Sequence, residues 1–149
     1  MATSKYDVAV VSATKLNVPP TNLGDGSSDY GTIIYSPATT WLAGNLVAGR
    51  ALLVTVQTGA SSSSPTGLKV GLYKGTDSSG SGVGLVTGTD TEYTTTLADD
   101  TVYQVVIGCE YFTNSAADFY SLGLSINGGG SATQYAYATA EWLEKTHQA

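Results

Sequence analysis

The sequence predicts an all-β chain: an antiparallel two-sheet β-sandwich, jelly-roll-like, with an extended N-terminal segment. Three observations carry this reading. Charged residues make up only 12% of the chain, and polarity comes instead from Thr, Ser, Gly, Asn and Tyr, which favour strands and turns over surface helices. Apolar residues recur with period two in several separate runs. Clusters of Gly, Ser, Asp and Asn divide those runs at the spacing of short strands joined by turns.

Residues 6–16 form the first run and read as a strand. The segment after it differs in kind. Asn17-Val18-Pro19-Pro20-Thr21 must be extended, because paired prolines fix φ and disfavour helix before them, while Gly24-Asp25-Gly26-Ser27-Ser28 is turn-like. Residues 1–28 are therefore expected to supply a strand and an arm, or else a surface connection between the first two strands. On the arm reading, a chain beginning near Asp29 stays folded and loses partner binding.

Residues 32–35 make a short strand. In 50–58, Leu52, Val54 and Val56 oppose Thr55 and Gln57; farther on, Leu68, Val70 and Leu72 alternate with Lys69, Gly71 and Tyr73. The polar cluster at 61–67 between them predicts an antiparallel hairpin with a long loop. Residues 83–86 and 91–97 are minor runs. The clearest alternation is 101–112, where Tyr103, Val105, Ile107, Cys109 and Tyr111 share one face, predicting a strand with the Cys109 thiol buried as a small hydrophobe. Residues 119–126 and 134–143 complete the set. Helix formers occur at 138–145, but Tyr135, Tyr137, Thr139, Glu141 and Leu143 also line one strand face, and strand is the reading taken, with 144–149 as a flexible tail. A chain of 149 residues suits one domain, 1–149, of eight or nine strands.

Chemistry finds little purchase in this sequence. The single imidazole, His147, lies in the expected tail, so Ser-His and Cys-His nucleophile pairs are not expected. Carboxylates such as Asp77, Asp99 and Asp118 sit in turn-like stretches, where Asp caps local backbone, and nothing pairs them for glycoside hydrolysis. Asp25-Gly-Ser-Ser-Asp29 lacks the ladder of a calcium loop, and one cysteine with one histidine cannot form a zinc site. The glycine-rich stretches 80–84 and 128–130 precede no helix that could cradle phosphate. No catalytic residue, metal or cofactor is expected, and the protein is expected not to be an enzyme. Six basic residues against twelve acidic ones give a net charge of −6, which disfavours nucleic acid and anionic membranes as partners. No apolar run has the length of a signal core or bilayer span, which suggests a chain made and kept in a cytosol without disulfides.

What remains is aromatic surface. Ten tyrosines against two phenylalanines favour rings with a polar edge, suited either to a partner surface or to capping the ends of a sandwich core. Candidate partner-contact residues are Tyr6, Leu16, Val18, Pro19 and Pro20 near the N-terminus, Trp41, and Tyr135, Tyr137 and Trp142 near the C-terminus. In its size, its Met1-Ala2-Thr3-Ser4 opening and its Gly/Thr/Ser/Tyr-rich sandwich texture, the chain resembles the small cement or decoration proteins of tailed-bacteriophage capsids. That resemblance implies a homo-oligomer, dimer or trimer, seated on the major capsid protein lattice at the virion exterior, made in the host cytoplasm and stabilising the shell. The alternative is a carbohydrate- or receptor-binding module of a head fibre or tail, marked by an exposed Trp41 or Trp142 beside a carboxylate.

Overall fold

The computed structural model describes residues 5–13, 18–24, 34–35, 41–47, 49–63, 65–93, 99–127 and 132–148. The strands are β1 (Lys5–Ala13), β2 (Val18–Gly24), β3 (Ile34–Tyr35), β4 (Leu42–Ala43), β5 (Ala51–Ser62), β6 (Gly67–Gly75), β7 (Gly84–Leu85), β8 (Thr91–Tyr93), β9 (Val102–Ile107), β10 (Phe119–Asn127) and β11 (Thr133–Gln148). Helical structure among the described residues is confined to a four-residue turn at Gly44–Val47 and a 3-10 turn at Cys109–Tyr111.

Two antiparallel sheets pack face to face. In the first the order is β1-β11-β5-β9, with β2 also on β11; in the second it is β3-β10-β6-β7, with β4 on β10 and β8 on β6. Strands that share an edge lie in file. β1 pairs with the 141–148 half of β11 and β2 with its 133–138 half, so together they fill one strand position. β3 and β4 divide an edge of β10 in the same way, as β7 and β8 divide an edge of β6. Each sheet thus has four positions, and the chain crosses between sheets at nearly every step, which is the jelly roll expected from the strand count.

The period-two pattern explains the core. Leu52, Val54 and Val56 of β5 and Ala136, Ala138, Ala140 and Trp142 of β11 point inward from the first sheet. From the second, Leu68, Val70 and Leu72 of β6 meet Leu122, Leu124 and Ile126 of β10, paired directly opposite in register. Most of these side chains are wholly buried, each contributing about 1.5–3 kcal/mol of transfer free energy for a fully buried large aliphatic. Small alanines on β11 leave room for the larger side chains that face them across the core.

Four expectations need correction or revision. β5 and β6 are not a hairpin: they lie in different sheets and face the same core from opposite sides. Alternation tells which face of a strand is buried and is silent on its neighbour, and the neighbours here come from β11 and β10, far along the chain. The 101–112 run stops as a strand at Ile107, the last residue of β9 with a partner on β5. At Gly108 the backbone leaves the ladder, and the following 3-10 turn leaves Cys109 exposed and carries Phe112 into the core. The segment expected as an arm includes β2, whose Val18 and Leu23 are 1% and 0% exposed within the core. Pro19 and Pro20 fall where the β2–β11 register shifts between Ala136 and Ala138, a bulge that tolerates residues lacking an N–H. At the other end, β11 keeps backbone pairing with β1 as far as Gln148, within the stretch expected as a tail.

Candidate functional site

The outer face of the first sheet is built by the residues that alternate with the core positions of β5, β9 and β11. Register sets them in rows: Glu141, Leu53 and Val106; Thr139, Thr55 and Gln104; Tyr137, Gln57 and Val102. Val102 and Val106 are 55% and 57% exposed, and Tyr135, one step farther along β11, is 41% exposed. The polar groups of the face bond laterally. Tyr137 Oη donates to Gln57 Oε1, and Gln104 Nε2 donates to Thr55 Oγ1 at 3.2 Å. These bonds hold long side chains flat along the sheet, which lowers the entropy lost when a partner covers them. Tyr135 lies over Gly59, where an added Cβ would stand 3.1 Å from its ring.

Charge is nearly missing from this surface. Glu141 is the one charged side chain in these three rows, although the chain as a whole carries −6. At the β9 edge, Tyr93 Oη donates to the Gln104 carbonyl at 3.1 Å while its ring packs on Tyr103 with centroids 4.6 Å apart. Burial there pushes the Tyr93 phenol above its ordinary value, with Tyr103 adding in the same sense.

Some of the residues expected from sequence meet on this face. Tyr135 and Tyr137 lie on it, with exposed Pro20 on the adjoining β2. Others do not. Val18, Trp41 and Trp142 are buried, the two indoles at 7% and 4% exposure, so neither offers a stacking platform. Trp142 packs edge-on against Phe112, and Trp41 covers Gly80. Tyr6 is paired in the backbone with His147, Pro19 lies in the β2 bulge, and Leu16 falls outside the described residues. No protein-family model and no curated protein matches the chain.

Val102, Val106 and Leu53 were not among the residues singled out. For two of them the signal is present in the runs Leu52-Leu53-Val54 and Val105-Val106-Ile107, where an unbroken apolar stretch means that both faces of the strand are apolar. Elsewhere, the carboxylate of Asp77 does what turn sequence suggests: its Oδ1 accepts from Ser79 N–H at 2.9 Å, Ser79 Oγ at 2.6 Å and Ser81 N–H at 3.1 Å. The Ser79 hydroxyl and these further donors hold its carboxyl well below the usual carboxylate range. Among the described residues no three His, Cys, Asp or Glu side chains come close enough to hold a metal ion, and no helix is long and apolar enough to cross a membrane.

Proposed function

We propose that this chain is a structural assembly protein, a capsid cement or decoration protein that seats the outer face of its first sheet on the head lattice and stabilises it. The observation that carries the reading is the charge-poor set of rows with exposed Val102, Val106 and Tyr135 on a chain of net charge −6. Partner surfaces are depleted in charge and enriched in tyrosine at their centre, as this face is. A rigid two-sheet body suits the task, since little order has to be gained on docking.

Size argues for more than one copy. Four strands about 4.8 Å apart and six residues long cover roughly 400 Å². A stable interface takes about 800 Å² from each partner, so a single face supplies about half of one. A dimer or trimer presenting its faces together to a repeating lattice gains the rest through effective concentration.

The test is retention from native source lysate on the immobilised full chain, alongside a Val102→Glu/Val106→Glu double variant. Near-stoichiometric recovery of one lattice-forming protein by the wild type, and its loss in the variant, is the expected result. Equal recovery by both chains would remove the face from the account, and recovery of no lattice-forming protein would end the cement reading.

A further inference from the structure

At one end of the sandwich, between the turn after β6, the start of β7 and the turn after β9, lies a cleft of about 360 Å³. It is distinct from the sheet face described above. Lys74, Leu85, Tyr111 and Thr113 form its walls and Tyr120 its floor, with Asp118 beside Lys74. The floor is fixed from beneath, because Tyr120 is wholly buried and packs edge-on to Phe112 with centroids 5.1 Å apart.

The polar groups are ordered before any ligand arrives. Thr113 N–H donates to Tyr120 Oη at 2.9 Å, and Thr113 Oγ1 donates to Asp118 Oδ2 at 2.6 Å, which leaves the Tyr120 hydroxyl proton for Thr113 Oγ1. Lys74 Nζ stands 3.6 Å from Asp118 Oδ1, beyond a normal hydrogen bond. The pair therefore cancels in charge while both members keep unused hydrogen-bonding capacity: donors on the ammonium and an acceptor on Oδ1. Gly82 and Gly84 line the cleft, and Gly88 backs its Tyr111 wall. Gly88, at φ +86°, brings the loop against Tyr111, whose hydroxyl would lie 3.3 Å from any Cβ placed there.

We infer that this cleft binds a neutral saccharide unit. A pyranose offers an apolar face and adjacent hydroxyls, and the cleft offers the complement: Tyr111 and Leu85 as apolar wall, Lys74 to donate to one hydroxyl and Thr113 Oγ1, oriented by Asp118, to accept from the next. Charge selects against the obvious rival. An anionic ligand would gain from Lys74 but feel the Asp118 carboxylate 3.6 Å behind it, whereas an uncharged polyol meets no such opposition. The site resembles ordinary pockets in being mostly apolar with a few convergent polar groups.

The experiment is amide-shift mapping on the isotopically labelled full chain, titrated with glucose, galactose and N-acetylglucosamine up to about 50 mM, since a single sugar unit in an open cleft is expected to bind with Kd on the order of 1–10 mM. Saturable shifts at Gly84, Leu85, Thr113 and their neighbours are expected with at least one sugar. Asp118→Asn and Lys74→Met should each raise Kd roughly tenfold with the melting temperature kept, and should leave lattice retention unchanged. No shift with any of the three sugars, shifts produced by inorganic phosphate alone, or sugar binding that survives both substitutions would overturn the inference.

Discussion

Replacing Leu23 by alanine tests whether the proline-containing segment is part of the body or an appendage. Its side chain is wholly buried against β11, in a sheet whose outermost position β2 shares with β1. Leu→Ala at a buried site costs about 2–5 kcal/mol, the transfer free energy of the lost carbons plus the cavity they leave. An outermost strand can settle partly into the gap, which points to the lower half of that range, about 3 kcal/mol. For a chain of this size each kcal/mol shifts the melting temperature by roughly 2–4 °C, giving a fall of about 6–12 °C. Asn22→Ala is the control: its side chain is exposed, and the change should stay within about 0.5 kcal/mol. Urea unfolding followed by far-ultraviolet circular dichroism measures both. If Leu23→Ala matches Asn22→Ala, β2 carries no stability and the arm expected from sequence is restored. On the present account, a chain beginning at Asp29 loses β1 and β2, Val18 and Leu23 with them, and uncovers the whole edge of β11 that they share, so it should fail to hold its β signal instead of merely losing its partner.

Other expectations follow from single sites. Gly80→Ala meets both a φ of +84° and the Trp41 ring, 2.8 Å from the new Cβ, so it should destabilise by about 1–3 kcal/mol and alter tryptophan emission; unchanged emission and stability would mean the indole packs elsewhere. The Asp77 turn has a folded pKa below the ordinary 3.8, so its contribution is complete above that value and is lost as pH falls through the folded pKa. Following the Ser79 and Ser81 amide shifts down in pH should show titration below that of a free aspartate, and titration at or above 3.8 would contradict the bonding pattern. Cys109 is exposed, so the native thiol should react with a maleimide as fast as the unfolded chain does, within about tenfold. Protection until unfolding would put it back in a core.

Much of the fold was legible because each long strand buries one face. Leu52-Val54-Val56 and Leu68-Val70-Leu72 announced their own burial, and the C-terminal run from Gln134 read as strand because Tyr135, Tyr137, Thr139 and Glu141 keep a two-residue period that a helix would break. Pairing was not legible, since the same pattern serves a hairpin and two strands facing one another across a core. β2 was hidden by its prolines, which look like a linker until the bulge opposite Ala136 and Ala138 accommodates them. The end of β9 was hidden for a different reason: alternation continues through Cys109 and Tyr111 after the partner strand has run out. The outer face was half visible, its tyrosines through composition but its valines masked by the assumption that apolar residues in a strand face inward. The end cleft joins Lys74, Leu85 and Tyr111 from three separate stretches, so no local pattern could have assembled it.

The most direct test of the assembly reading is co-sedimentation of the purified chain with assembled heads lacking it, comparing wild type with the Val102→Glu/Val106→Glu variant at matched stability. Saturable binding at a fixed ratio to the lattice protein, lost in the variant and accompanied by protection of the β9 amides, is the result the account predicts. Wild type that stays in the supernatant, or a variant that sediments as the wild type does, would contradict it.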